Sequence, residues 1–221
     1  MYRLREVWGY QAGLVPELGY GRSLHHCLRH IAEHIQKGLD WEKIIHETVQ
    51  KEFHLSYAGG KHRQTMMKAA EEALTKFVKQ NLEDMKRIEE VESRLEFPLQ
   101  KATLTGKVDV IAKGEDNSTL EVRDYKTSEE VTTFEEASLQ VRLYALGLKI
   151  IRSSVGLGSI ANLDTAEIKP ISIKQEELND AKKIAEKCIS DIMQRSFNGK
   201  RGSHCNNCDF KKICKWNSGS E

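Results

Sequence analysis

Two carboxylates and one ammonium group lie close together in the chain, in Gly106-Lys-Val-Asp109 and then Asp124-Tyr-Lys126, at spacings that suit a hard metal ion. Apolar residues alternate through Leu104, Val108 and Val110, a polar turn spans Lys113 to Ser118, and the alternation resumes at Leu120 and Val122. This predicts two neighbouring antiparallel strands, with Asp109 near the end of one and Asp124 and Lys126 on the next. Side chains two apart on a strand share a face, so Asp124 and Lys126 point together while Tyr125 enters the opposite layer. The same alternation turns Glu121 away from Asp124. A cation such as Mg²⁺ takes oxygen ligands and keeps several waters, so Asp109, Asp124 and the Tyr125 carbonyl make an adequate protein half-shell. Lys126 beside them could orient an attacking water and stabilise charge building on a phosphate, which is chemistry for hydrolysing phosphodiesters. The competing reading is an ordinary surface ion pair on a hairpin, since Asp-x-Lys is common by chance.

These residues need elements to hold them. Leu24, Leu28, Ile31 and Ile35 recur at helical spacing from Ser23 to Ile35, with Gly38 as a stop, and this helix carries His25. A second helix is expected over Trp41 to Glu52 and a long third from about Arg63 to Lys86, after the Gly59-Gly60 turn. Strands are expected at about 91–99, 103–112 and 118–125, a helix at about 133–150, a hairpin at about 155–173 turning at Asn162 to Thr165, and a helix at about 175–195. The lead-in over residues 1–20, with Trp8, Tyr10 and Tyr20 among Gly9, Gly13 and Gly19, reads as aromatic and irregular.

Composition sets the bounds. The chain of 221 residues is 39% hydrophobic, enough for one core with an appended lobe. A formal charge of +1 with 30% charged residues gives no global basic field, so any nucleic-acid contact must use a local groove. No apolar run reaches membrane length and the N-terminus lacks a signal-peptide core, so a soluble, cytoplasmic protein without a membrane partner is expected. There is no Walker A sequence, hence no ATP hydrolysis by that route, and no Gly-x-Ser-x-Gly elbow.

Taken in order, Gly21-Arg-Ser-Leu-His25, Gly106-x-x-Asp109, Asp124-Tyr-Lys126-Thr-Ser and Gln140-x-x-x-Tyr144 resemble the RecB-like branch of the PD-(D/E)XK nuclease superfamily, over about residues 2 to 216. The resemblance implies a restriction-endonuclease-like α/β (α+β) core, with a mixed central β-sheet flanked by helices. An N-terminal helical lobe (about 21–88) and a catalytic core (about 89–195) would form a domain of residues 1–203, and a cysteine-rich tail (204–216) would close onto the N-terminus. It further implies that His25, Asp109 and Asp124 ligate Mg²⁺ or Mn²⁺ with the Tyr125 carbonyl, that Lys126 assists the attacking water, and that Gln140 and Tyr144, one helical turn apart, support the site and approach DNA. Taken by themselves, His25 could be a helix cap, and Gln140 and Tyr144 the polar edge of a helix whose core face holds Leu139, Leu143 and Leu146.

The tail carries Cys205-x₂-Cys208-x₅-Cys214, one thiolate short of a four-ligand sulfur site. In RecB-like nucleases a similar trio joins an upstream cysteine in a structural [4Fe-4S] cluster, which here would close a loop of about 200 residues. A zinc knuckle completed by His204, or plain reduced thiols, is the alternative. No cysteine precedes Cys27, which sits two residues after His25 and faces elsewhere on the helix. Cys188, among Ile184, Ala185 and Ile192, is expected to be a buried core thiol. Because Tyr2 to Tyr10 resembles the stretch that follows the family's upstream cysteine, the chain is expected to be an excised domain lacking that ligand, so the cluster is expected to be absent or unstable.

The resulting expectation is a metal-dependent DNA nuclease, an exonuclease acting in repair or recombination, with a UvrD/RecB-type helicase motor as fused part or partner. The alternatives are a CRISPR-associated adaptation nuclease, a catalytically silent DNA-binding module, and a zinc-stabilised interaction domain.

Overall fold

The computed structural model describes residues 3–10, 19–127, 133–152, 154–199, 201–202, 205, 208 and 210–214. His204, Ser128 and the lead-in between 11 and 18 lie outside these. Arg3–Val7 forms a π-helical turn, more regular than the sequence implied.

Helix α1 (Tyr20–Gln36) buries Leu24, Cys27, Leu28, Ile31 and Ile35, one face at three- and four-residue spacing. It stops as predicted at Gly38, whose φ of 72° only glycine adopts without cost and whose N–H donates to the Ile35 carbonyl. Asp40 caps α2 (Trp41–Glu52) by accepting from the Glu42 N–H. The long helix expected to Lys86 is two helices, α3 (Gly60–Gln80) and α4 (Leu82–Lys86). Asn81 separates them, because its amide Nδ2 donates to the carbonyls of Phe77 (2.9 Å) and Ala166 (3.1 Å), a side-chain alternative to helical bonding.

Five strands form one sheet in chain order: β1 (Ile88–Leu99), β2 (Ala102–Lys113), β3 (Leu120–Lys126), β4 (Val155–Asn162) and β5 (Glu167–Ile171). Neighbours are antiparallel except β3 and β4, which are parallel and joined across the sheet by α5 (Phe134–Ile151). A capping box starts α5: the Thr133 hydroxyl accepts from the Glu136 N–H while the Glu136 carboxylate accepts from the Thr133 N–H. The turn before β5 forms where the sequence placed it, with Asn162 Oδ1 accepting from the N–H groups of Asp164 and Thr165.

Helices cover both faces of the sheet. One core joins α1 to α4 with Val110, Ala112, Tyr125 and Ala161, and the other joins α5 and α6 (Gln175–Met193) with Val108, Ile111 and Val122. Val108 and Val110, two apart on β2 and expected on one face, therefore serve different cores. Between them stands Asp109, and on β1 Glu92, flanked by residues that pair with Val110 and Val108, has φ 52°. A local break in the pleat at this point re-aims side chains, as irregularities beside functional sites do.

Cys188 is exposed rather than buried. The inward row of α6 is Leu178, Ala181, Ala185 and Ile189, and Cys188 falls beside it with Ile184 and Ile192, which are also exposed. No helix among the described residues is long and apolar enough to cross a membrane.

Candidate active site

The predicted site residues converge where the C-terminal end of β3 meets α1 on one side and α5 on the other. In the β2–β3 ladder Val110 pairs with Arg123, which sets Asp109 and Asp124 side by side one residue further on. Asp109 is held at one oxygen, with Oδ2 accepting from the Tyr125 backbone N–H at 2.8 Å, while Oδ1 lies 3.6 Å from His25 Nδ1. His25 reaches the site from α1 and stacks edge-on to Tyr125 with ring centroids 5.9 Å apart. The Tyr125 ring itself points into the helical lobe against Phe77, as alternation required.

On the other face, Asp124 and Lys126 meet as their spacing predicted, with Nζ 2.8 Å from Oδ2. Lys126 Nζ also donates to Gln140 Oε1 (3.2 Å), and Gln140 Nε2 donates to the Tyr144 hydroxyl (2.8 Å). Gly106 makes room for this chain of contacts, since a Cβ there would fall 2.7 Å from Tyr144 Cε1. The glycine of Gly106-x-x-Asp109 thus has a packing reason: β2 and the Tyr144 ring touch.

Burial and charge set Asp124 apart from an ordinary surface acid. Asp124 is 2% exposed, and its pKa is raised to about 6, first by burial and then by the negative charge of Asp109, against the pull of Lys126 and His25. Two carboxylates, one of them desolvated, together with His25 and a backbone carbonyl are donors of the type Mg²⁺ or Mn²⁺ takes, although the ligand atoms of His25, Asp109 and Asp124 do not all lie within 4.8 Å of one another. The side chains of His25 and Asp109 keep 20% and 19% of their surface, so the site opens to solvent on their side.

Three further residues border the site without having been singled out in the sequence. Glu92 accepts from Arg29 Nη1 (2.6 Å) and lies 2.9 Å from Lys107 Nζ, and a cavity lined by His25, Arg29, Glu92, Asp109 and Tyr125 places Arg29 and Glu92 beside Asp109. Arg29 lies one helical turn after His25, a spacing that could have identified it. Nothing in the sequence announced the positive φ that brings Glu92 there.

Among the described residues, Cys205, Cys208 and Cys214 make no group of ligand atoms within 4.8 Å of one another. Cys27 is wholly buried, with its thiol pushed up to about 12 chiefly by burial, and Cys188 is on the surface of α6. The Arg5 guanidinium stands 5.8 Å over the ring of buried Phe210.

Residues 1–215 match the family described as the PD-(D/E)XK nuclease superfamily. Among solved structures, a protein from Eubacterium rectale named as a candidate exonuclease is similar over 97% of this chain and 78% of its own, with a TM-score of 0.53 and 13% identity. SSO0001 is similar over 89% of this chain and 84% of its own, at 17% identity and a TM-score of 0.41. VC1899 from Vibrio cholerae aligns over 77% of this chain and 51% of its own, at 16% identity and a TM-score of 0.28. At these identities the first likeness is one of fold, and the other two carry no argument. No curated protein matches the chain.

Proposed function

The chain belongs to the PD-(D/E)XK nuclease superfamily, and from that premise we propose that it is a Mg²⁺- or Mn²⁺-dependent deoxyribonuclease whose active site is His25, Asp109, Asp124 and Lys126. The observation that carries the proposal is the buried Asp124 beside Asp109, with the Lys126 ammonium 2.8 Å away. His25, Asp109, Asp124 and the Tyr125 carbonyl would hold the ion, which when bound supplies Lewis acidity for in-line attack on phosphorus. The chain's own residues supply the positioning. Lys126, steadied between Asp124 and Gln140, orients the attacking water and sets positive charge where the phosphate gains negative charge. The Tyr125 N–H holds Oδ2 of Asp109, which leaves Oδ1 turned toward His25. Gln140 and Tyr144 line the α5 side, where the DNA strand would lie.

Asp109→Ala or Lys126→Ala is expected to abolish Mg²⁺- or Mn²⁺-dependent DNA degradation while leaving the thermal melt nearly unchanged. A purified double variant with full activity would overturn the assignment. A catalytically silent DNA-binding module should lack at least one of these four side chains, and this chain has them all. We read the activity as exonucleolytic, in keeping with the name of the Eubacterium rectale structure, and the setting as that of a RecB-like nuclease working beside a helicase motor in repair or recombination. Digestion of linear DNA with circular DNA left intact is the expected result. The Cys205, Cys208 and Cys214 trio is one thiolate short of a four-cysteine cluster, and no step of the reaction depends on one.

A further inference from the structure

Away from the acids, α1 and α2 bring together a second set of metal-ligating side chains. His26 and His30, four residues apart, share one face of α1, and Glu52 reaches them from the last turn of α2. Glu52 Oε2 lies 3.0 Å from His26 Nε2 and 3.7 Å from His30 Nε2, and the two imidazoles stand 4.8 Å apart at 88°. Ligands about 2.1 Å from a tetrahedral zinc ion are about 3.4 Å from one another, so both carboxylate distances already bracket that spacing. Among the described residues this is the one group of three such side chains whose ligand atoms all lie within 4.8 Å of each other. The three are half-buried, which leaves the fourth position open to water.

We propose that His26, His30 and Glu52 form a transition-metal site, selective for Zn²⁺ over Mg²⁺, that clamps α1 to α2. Two imidazoles and one carboxylate are a borderline-soft donor set, which suits zinc and its neighbours and not an ion demanding six oxygens. Glu52 Oε2 is within hydrogen-bond distance of His26 Nε2, so the two ligand atoms already face one another. Arg29 Nη2 lies 3.2 Å from His30 Nε2, and its other nitrogen is bonded to Glu92, so it can release the imidazole and stay anchored. His25, the next residue along α1, is turned about 100° away toward Asp109, which keeps this site separate from the proposed catalytic ion.

The test is a Co²⁺ and Zn²⁺ titration of the full chain in excess Mg²⁺, followed by visible absorption and calorimetry. One equivalent is expected to bind with a four-coordinate cobalt spectrum free of thiolate charge-transfer bands. The conservative variants His30→Asn and Glu52→Gln should each weaken binding by more than about 100-fold, beyond the loss typical of an outer-shell partner. Asp109→Asn should leave it intact, so failure here and failure of the nuclease assignment are separate results. Absence of binding, thiolate bands as the sole signal, or unchanged affinity in both His30→Asn and Glu52→Gln would each overturn the proposal.

Discussion

At the scale of single residues, the proposed site would depend on contacts one step removed from the acids. Lys126 is useful only where its ammonium is held, and the structure holds it by a chain from Gly106 through Tyr144 and Gln140. Tyr144→Phe, Gln140→Ala and Gly106→Ala are therefore expected to lower turnover by about 10- to 100-fold, the range for losing a supporting partner, without the abolition expected of Lys126→Ala. Single-turnover kinetics on one DNA substrate, with thermal melts alongside, would check this, and unchanged turnover in all three would remove the chain from the mechanism. That Asp124 meets Lys126 and Gln140 meets Tyr144 could be read from spacing, because strand and helix periods fix which side chains share a face, whereas the part expected of Gln140 and Tyr144 came from the family resemblance. Glu92 could not be read from spacing, because its approach depends on a backbone irregularity. A second residue-scale contrast concerns thiols: Cys27 is buried with its pKa pushed up to about 12, whereas Cys188 is exposed. The thiolate is the reacting form, so brief iodoacetamide treatment of the native chain should label Cys188 and spare Cys27 until denaturant is added, as read by peptide mass spectrometry.

Among the elements, α5 depends most on local chemistry. Its capping box satisfies two backbone donors at the end that leads to Gln140, and Thr133→Ala should cost about 1 kcal/mol in urea unfolding, by the usual worth of such a cap. A loss below the precision of the melts would mean that packing alone sets the start of this helix. Packing is strong further along, where a Cβ at Gly147 would run into the Phe97 ring, so α5 lies close against β1. Element positions were largely legible in the sequence. α2, the order of strands and the turn at Asn162 all follow from apolar period and turn residues that act within a few positions. What escaped depended on distant groups. Asn81 splits α3 from α4 by bonding to Ala166 across the fold, and Cys188 faces solvent because the inward row of α6, packed with α5, runs through Leu178, Ala181, Ala185 and Ile189.

For the molecule as a whole, the question is what fixes the helical lobe against the sheet, since His25 belongs to one and the acids to the other. Apolar packing of α1 to α4 on Tyr125 and Ala161 supplies much of it but is not directional. Direction comes from Arg123, 1% exposed on β3, whose guanidinium joins three elements: it donates to Glu121 on its own strand (2.9 Å), to Ser159 on β4 (3.1 Å) and to Asp84 on α4 (3.4 Å). Glu121, which alternation turned away from the catalytic acids, is thereby committed to this buried network, with the Ser159 hydroxyl also bonded to it. Removing one partner of a buried ion pair strands the other charge, so Arg123→Met should cost about 3–5 kcal/mol in global stability. The double variant Arg123→Met with Glu121→Gln should recover part of that loss, because the stranded carboxylate is then gone. Urea melts of both variants and of Glu121→Gln complete the cycle. A network that orients the lobe also predicts that Arg123→Met lowers the turnover of the molecules that remain folded, although Arg123 faces away from the acids. Equal activity per folded molecule would restrict Arg123 to stability and leave the placement of His25 to apolar packing.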